Sequence, residues 1–365
     1  MTRKPPRASQ IVAAVIGNAL EWYDFVVYGF LTVIIARLFF PAQDEYAALL
    51  LTMATFGVGF FMRPIGGIVL GMYADRKGRK AALQLIIGLM TLSMAMIAFA
   101  PTYAAIGIAA PLLILLARLL QGFATGGEFA SATSFLVESA PAHRRGYYGS
   151  LQMVGQSLAA LSGALAGTLI TRGLAPEQID SWGWRLPFLF GLVIGPVGLY
   201  IRRYLEETHA FVEARARAVR NPLRAVVADN LRGLAVTFGL VICGTISYYV
   251  VLVYMPTFAK TQLGMPLNDA FLAQVIGLVC LTVAIPLFGA LSDRIGRRPI
   301  LMTATIAYFV LLYPMFDWLH AAPGFARLAI MQAILCSLVG VFFGPISTAI
   351  AEQFPTGVRT TGLAI

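Results

Sequence analysis

The sequence GMYADRKGRK at residues 71–80 returns as GALSDRIGRR at residues 289–298, 218 positions further along the chain. A second pair agrees, because ESAPAHRRG at residues 138–146 is matched by EQFPTGVR at residues 352–359, at an offset of 214. Each copy of the first motif lies between two long apolar segments. A repeat of this length in an apolar chain predicts a membrane transporter built from two related halves.

The composition indicates a membrane protein. The 365 residues are 59% hydrophobic and 12% charged, about half the charged fraction of a soluble domain. The three cysteines, Cys243, Cys280 and Cys336, all lie inside apolar segments. Their placement predicts neither a disulfide framework nor a metal site.

Long apolar segments predict the membrane spans, since a helix that crosses a bilayer needs about 20 mostly apolar residues. We therefore expect an all-α polytopic membrane protein with a six-helix bundle at 1–204, a polar connector at 205–230 and a second bundle at 231–365. An eleventh span begins near Thr360. The ten predicted complete spans are residues 10–36, 48–73, 81–100, 110–137, 148–171, 186–204, 231–258, 270–292, 299–319 and 326–352.

The basic residues predict the orientation of these spans. With the N-terminus inside, 20 of the 27 Lys and Arg residues lie on the cytoplasmic side, five lie outside, and Arg63 and Arg118 lie within spans. This bias predicts a multi-pass protein of the cytoplasmic membrane with a cytoplasmic N-terminus. The net charge of +10 is spread over separate loops without an aromatic platform, so no nucleic-acid partner is expected. The expected partners are the lipid bilayer and a small molecule, and a monomer is expected.

Each copy of the repeated motif has the composition of a tight turn between two helices. Its first glycine permits close helix contact, and Gly78 or Gly296 permits the turn itself. The acid of each copy, Asp75 or Asp293, can cap the helix that follows. Ordinary turns also contain such residues, but two copies at matching positions favour a specific role.

The repeated loop resembles the signature of the major facilitator superfamily, and the resemblance extends over the whole chain. It implies a fold of two six-helix bundles with twelve spans, so we expect about ten complete spans here and a truncated C-terminal bundle. In that family the loop is a gate whose charge network breaks and reforms during alternating access, and its arginines can pair with acids at neighbouring helix ends. The resemblance implies a cytoplasmic gate formed by Gly71, Asp75, Arg76, Gly78, Arg79, Glu138, Asp293, Arg294, Gly296, Arg297 and Glu352.

Five ionisable residues lie deep in the first four predicted spans: Glu21, Asp24, Arg63, Arg118 and Glu128. A charge at the bilayer centre costs on the order of 3 kcal/mol on insertion scales, so such residues indicate function. Mutual ion pairing that only fixes helix packing is the alternative, and Arg63, next to Pro64, can instead serve a kink.

The charges of this set suggest a coupling mechanism. Three acids and two arginines sum to −1, so one bound proton makes the set neutral. An arginine that is freed from an acid can then bind a substrate carboxylate with both arms of its guanidinium group. Glu21 and Asp24 are three residues apart on one side of a helix, and their repulsion favours protonation of one of them. We predict that Glu21, Asp24 and Glu128 carry the coupling proton.

Four further motifs resemble the metabolite:proton symporter branch of the superfamily: GNALEWYDF at 17–25, FMRPIGG at 61–67, ARLLQGFATGGE at 117–128 and WGWRLPF at 182–188. Among its members the chain is most similar to citrate and tricarballylate symporters, although osmolyte carriers share much of the pattern. The resemblance implies that Arg118 binds the anion, with Asn18 and Gln121 as polar neighbours. Further candidates for polar contacts with the substrate come from the second half: Tyr248, Tyr249, Tyr254 and Gln274. Packing is the alternative role for these residues.

We therefore predict proton-coupled uptake of citrate or a related carboxylate, with protons as the coupling ion and no other cofactor. The alternatives are a symporter of a zwitterionic osmolyte such as betaine or proline, and a nutrient sensor that does not transport. A drug–proton antiporter is disfavoured because the fifth span lacks a Gly-Pro signature. The sequence contains no nucleotide-binding GxxxxGK[ST] motif and neither HExxH nor GxSxG, which argues against an ATP-driven pump and a membrane enzyme.

Overall fold

The computed structural model describes residues 8–41, 44–77, 79–125, 133–134, 136–138, 140–192, 230–355 and 359–364. Every regular element in these ranges is helical, which confirms the predicted all-α class. The predicted connector at 205–230 lies outside the described residues except for Asn230. The helices of the first half are α1 (Ala8–Phe30), α2 (Thr32–Phe39), α3 (Glu45–Lys77), α4 (Arg79–Ala98), α5 (Tyr103–Ile106), α6 (Ala109–Ala124), α7 (Arg145–Gly173) and α8 (Pro176–Ser181).

The second half begins with α9 and contains one π-helical turn, Tyr249–Val253, which follows α9 directly. Short 3-10 turns at Ala142–Arg144 and Gly183–Arg185 flank α7 and α8, and residues 186–192 are helical. The helices of the second half are α9 (Leu231–Tyr248), α10 (Met255–Thr261), α11 (Leu267–Ile295), α12 (Arg297–Ala321), α13 (Phe325–Ala351) and α14 (Arg359–Ala364).

Six segments are long and apolar enough to cross a membrane within the described ranges: Glu45–Leu70, Ala142–Gly173, Leu231–Val253, Leu267–Ile295, Arg297–Ala321 and Phe325–Ala351. A seventh is the bent pair Asn18–Phe30 and Thr32–Phe39, and two shorter apolar helices cover Gln84–Ala98 and Ala109–Ala124. The predicted spans at 110–137 and 186–204 are described only in part. The count of ten spans therefore stays a prediction.

The first predicted span, at residues 10–36, is bent in the structure. α1 and α2 meet at an angle of 62° around Leu31. The hydroxyl of Thr32 donates to the carbonyl oxygen of Gly29 at 2.6 Å and lies 3.3 Å from that of Tyr28. A side-chain hydroxyl that bonds main-chain carbonyls at this point is consistent with the local bend of the helix.

Helices α7 and α11, one from each half, pack against each other along their length. At one end a Cβ on Gly289 would lie 2.5 Å from the Cβ of Ser150, and at the other a Cβ on Gly167 would lie 2.7 Å from the Phe271 ring. The hydroxyls of Ser157 and Thr282 meet between them. We call this contact the α7–α11 seam. Small residues let the two backbones approach closely.

Burial differs sharply between helices of similar hydropathy. The membrane-spanning window of α13 is 72% buried, whereas that of α12 is 17% buried. Phe309 and Tyr313 of α12 are 83% and 78% exposed. Such apolar side chains are stable on the surface only against lipid, so α12 lies at the periphery and α13 in the centre of the bundle.

Glycines also fix the packing of α3 against α6, and this generates a stability prediction. A Cβ on Gly66 would lie 1.8 Å from the carbonyl oxygen of Phe123, whereas a Cβ on Gly57 of the same helix meets no atom within 4 Å. We expect Gly66→Ala to destabilise the protein by about 1–3 kcal/mol through overpacking. Gly57→Ala is the matched control and should stabilise by about 0.5–1 kcal/mol. Thermal unfolding in detergent measures both, and equal melting temperatures would contradict the packing.

Candidate functional site

Arg118 on α6 is fully buried inside the first half. Its guanidinium carbon lies 4.4, 4.7 and 4.8 Å from the ring centroids of Phe25, Tyr28 and Phe56, and Nη1 donates to Oε1 of Gln121. Nε and Nη2 have no hydrogen-bond partner among the described residues. Cation–π contacts thus hold a charge that is only partly satisfied by hydrogen bonds.

Arg63 on α3 and Arg118 on α6 lie close together, because both contact the ring of Phe25. Its guanidinium carbon is 4.5 Å from the Phe25 centroid, 4.6 Å from that of Phe60 and 5.4 Å from that of Trp22. Since both carbons are within 4.5 Å of one centroid, they lie at most about 9 Å apart. Two charges at that distance repel by about 2 kcal/mol at an effective dielectric constant of 20. We call these two arginines and the rings around them the two-arginine cluster.

A cavity of about 660 Å³ lies between the two halves, next to this cluster. Trp22, Arg63, Met153 and Gln156 line it from the first half, and α9, α13 and residues Gly362 and Leu363 line it from the second. Arg118 is not part of its wall. Among the described lining residues Arg63 carries the charge, and none is Asp or Glu. We call this space the central cavity.

Three hydroxyl-bearing residues of the second half line the central cavity, although their oxygens are themselves buried. Tyr248, Tyr249 and Thr237 line the cavity, and their buried hydroxyl oxygens have no hydrogen-bond partner among the described residues. A buried polar group without a partner costs free energy. A ligand or water that accepts hydrogen bonds from these groups would remove that cost.

The predicted substrate residues Asn18 and Gln121 lie in helix contacts. The amides of Asn18 and Gln152 are bonded to each other, with Asn18 Nδ2 also reaching the Gln152 carbonyl at 3.0 Å. Gln121 Nε2 donates to the carbonyl oxygen of Asp24 at 2.9 Å. Neither amide lines the central cavity, and Tyr249 is the predicted substrate residue that does.

The predicted proton carriers are described only in part. Asp24 is 5% exposed, and a Cβ on Gly191 would lie 2.7 Å from its Oδ1, so this carboxylate faces helical residues 186–192. Residue 21 lies within α1, but its side chain is outside the described part. Glu128 lies wholly outside the described residues. Their participation in one network with the arginines therefore stays a prediction.

The second repeated loop connects α11 to α12, and Gly296 makes its turn with a φ of +91°, as expected for that glycine. The carboxylate of Asp293 has a different partner from the predicted one. It accepts hydrogen bonds from the N–H groups of Gly146 and Tyr147, at 2.7 and 3.0 Å. Asp293 thus caps the first turn of α7 in the other half, whereas α12 begins at Gly296 without a side-chain cap. We call this end of the bundle the loop end.

Ion pairs surround this cap. Arg297 lies 3.2 Å from both Asp293 and Glu352. Arg359 lies 3.0 Å from Glu138 of the first half, and the exposed Arg294 lies on the surface. The structure thus brings four of the predicted gate residues, Glu138, Asp293, Arg297 and Glu352, into contacts at the loop end. In the first copy, Gly78 lies outside the described residues, as do the side chains of Asp75, Arg76 and Arg79 and the surroundings of Gly71.

Sequence reasoning missed two features of this site. It placed Arg63 in the buried charge set, with the kink at Pro64 as the alternative, and assigned anion binding to Arg118, yet Arg63 is the arginine in the cavity wall. It did not single out Thr237, which is one of several hydroxyl residues in an apolar segment. For Arg63 the signal was the cost of a charge inside a span. For Thr237 no signal in the sequence separates it from ordinary packing.

The family is established by comparison with known proteins. The family model described as Major Facilitator Superfamily matches residues 15–365. The chain belongs to this superfamily and is a multi-pass membrane transporter rather than an enzyme.

Individual known proteins are similar to this chain over nearly its whole length. The citrate-proton symporter of Salmonella typhi is 39% identical over 349 residues, which cover 96% of this chain and 80% of that protein. The glycine betaine/proline/ectoine/pipecolic acid transporter of Dickeya dadantii is 36% identical over 366 residues, covering 97% and 73%. The partially occluded inward-open structure of the xylose transporter XylE from E. coli has a TM-score of 0.76 at 18% identity, over 98% of this chain and 87% of that one. This last likeness confirms the fold.

The cap on α7 can be tested directly. We expect Asp293→Ala to speed hydrogen exchange at the amides of Gly146 and Tyr147 by about fivefold, because losing a side-chain cap costs about 1 kcal/mol. Hydrogen–deuterium exchange of the peptide that contains residues 145–150 measures the effect. The matched control is Asp269→Ala in the first turn of the same helix α11, which should leave that peptide unchanged. An unaltered rate in Asp293→Ala would contradict the cap.

Proposed function

We propose that the chain takes up a small carboxylate, citrate or a close relative, together with protons by alternating access. One observation carries this proposal. The central cavity has a guanidinium group and three unpartnered hydroxyls in its described wall, and no described carboxylate. The positive charge of Arg63 in this wall favours a ligand rich in negatively charged acceptors. A planar guanidinium group binds a carboxylate through two parallel hydrogen bonds.

The same geometry disfavours a zwitterionic osmolyte, although an osmolyte carrier is among the relatives. A quaternary ammonium group is bound in proteins by the faces of aromatic rings. Here Arg63 lies 4.5 and 4.6 Å from the centroids of Phe25 and Phe60, and Arg118 lies 4.4 Å from that of Phe25. These guanidinium groups place positive charge in and beside the cavity wall, and that charge repels an ammonium group.

Proton coupling is supported by the buried acid of α1 and by the relatives. Asp24 is almost fully buried one residue before Phe25, the ring that both arginines contact. The Salmonella typhi relative is a citrate-proton symporter. We propose that Glu21, Asp24 and Glu128 exchange the coupling proton as the carboxylate binds and leaves.

We further propose that the loop end is the cytoplasmic gate. The N-terminus then lies in the cytoplasm, and residues 1–204 and 231–365 form two bundles that move about the connector at 205–230. Opening the gate must break the Asp293 cap and the pair between Arg359 and Glu138, since both join the two halves. The transporter would work as a monomer, because both halves that line the cavity belong to one chain.

Uptake by purified protein in liposomes tests the substrate. With an inward proton gradient, we expect radiolabelled citrate to accumulate and labelled betaine to remain at the level of empty liposomes. Arg63→Gln should raise the KM for citrate about tenfold or more, because hydrogen bonds to charged groups contribute about 1.5–3 kcal/mol.

The matched control is Arg327→Gln. Arg327 also lies over a tryptophan ring, 5.1 Å from the centroid of Trp318, but it is not part of the cavity wall. Its replacement should leave the KM for citrate unchanged. Accumulation of betaine in place of citrate would overturn the proposal, and binding of citrate without accumulation would indicate a sensor.

Amide variants test the proton carriers. We expect Glu21→Gln and Asp24→Asn each to abolish accumulation driven by a pH gradient, because an amide cannot release a proton. Exchange of citrate across the membrane without a gradient should continue, since the amide resembles the protonated acid. Glu177→Gln, at an exposed position in α8, is the control. If both variants kept full pH-driven accumulation, these two residues would not be the carriers.

A further inference from the structure

The π-helical turn after α9 is followed by a proline, which cannot donate a main-chain hydrogen bond to it. In this turn the N–H of Tyr254 donates to the carbonyl oxygen of Tyr249, five residues earlier, at 2.8 Å. The equivalent donor for the carbonyl of Val251 would be residue 256. That residue is Pro256, which has no N–H group. Val251 is fully buried, so its carbonyl needs another donor.

Gln332 of α13 supplies that donor. Its Nε2 lies 3.2 Å from the carbonyl oxygen of Val251 and 2.6 Å from Oε1 of Gln274. Its Oε1 lies 3.3 Å from Sγ of Cys336. Gln332, Gln274 and Cys336 are all fully buried. An amide has two N–H donors, and Gln332 uses one for the turn and one for Gln274.

The turn determines which side chains of α9 reach the central cavity. A π turn inserts one extra residue into a helix, and one residue corresponds to about 100° around the helix axis. Tyr248 and Tyr249 lie at this insertion, and both line the cavity with unpartnered hydroxyls. Tyr249 also contacts Phe56 and Phe60 of the two-arginine cluster, with centroids 5.8 and 5.5 Å apart. A regular α-helix here would rotate the two tyrosines relative to the chain that follows.

We propose that Gln332 is a positioning residue for substrate binding: by bonding the Val251 carbonyl in place of the absent N–H of Pro256, it holds the π turn that directs Tyr248 and Tyr249 into the central cavity. The role in substrate binding rests on the proposed function. The role of Gln332 in holding the turn does not rest on that function, and hydrogen exchange measures it separately. Sequence reasoning had considered Gln274 a possible substrate contact, whereas its Oε1 here accepts from Gln332.

A rescue experiment tests this role. Gln332→Met keeps a similar volume but removes the donor. We expect it to raise the KM for citrate about tenfold, as for loss of one oriented hydrogen bond, and to speed hydrogen exchange in the peptide that contains residues 249–255. Pro256→Ala restores an N–H five residues after Val251. In the double variant we therefore expect both quantities to return to within about twofold of the parent.

Two further variants complete the test. Ser337→Ala is the control on α13, because the Ser337 hydroxyl bonds only its own helix at Ala333 among the described residues; both readouts should be unchanged. Gln332→Asn keeps the amide on a side chain that is too short to reach Val251, and it replaces Gln332→Met if that variant does not fold.

The proposal is overturned if the Gln332 variants leave exchange in the turn unchanged, or if Pro256→Ala fails to restore it. If the parent protein takes up no citrate, the proposed function fails while the exchange measurement still decides whether Gln332 holds the turn. A restored exchange rate with an unrestored KM would show that the turn does not orient the tyrosines for substrate.

Discussion

The close backbone contact along the α7–α11 seam is the constraint on which the rest of the structure depends. A Cβ on Gly146 would lie 2.3 Å from the hydroxyl of Ser292 and 2.5 Å from the carbonyl oxygen of Gly289, so the two backbones can approach this closely here only because Gly146 has no side chain. That approach brings the Asp293 carboxylate to the N-terminus of α7, where backbone N–H groups and the helix dipole favour a negative charge. The seam also sets the separation of the halves at the central cavity.

The two arginines have different positions relative to that cavity, and this suggests different tasks. Arg63 forms part of the cavity wall. Arg118 is sealed behind the rings of Phe25 and Phe56, where it can act on the cavity only through its field. A charge within about 9 Å of Arg63 strengthens attraction of an anion without occupying the binding surface. Burial of Arg118 is tolerated because three rings and Gln121 surround its guanidinium group.

The sequence predicted the helical class, the family and the turn at Gly296, because these depend on hydropathy, repeats and backbone conformation near one residue. It did not predict the partner of Asp293. Spacing along the chain indicates the next helix, whereas the structure places the start of α7, 147 residues earlier, beside the carboxylate. Likewise, Arg63 and Arg118 both lie in apolar segments, and only the packing of helices decides which of them borders a cavity. The charge network with Glu21 and Glu128 remains a prediction.

The irregular backbone follows the internal repeat. The bend in the first half lies at Leu31, and the 218-residue offset of the repeated loop carries that position to Tyr249, where the π turn begins. The two irregularities also touch, since a Cβ on Gly29 would lie 2.6 Å from a methyl group of Val253. In each case a polar side chain compensates a carbonyl, Thr32 at Gly29 and Gln332 at Val251. Interrupted helices at corresponding positions are typical of transporter binding sites, because irregular backbone is tolerated in a membrane only where protein groups satisfy it. The first helix of each half therefore combines an interrupted backbone with a wall of the central cavity.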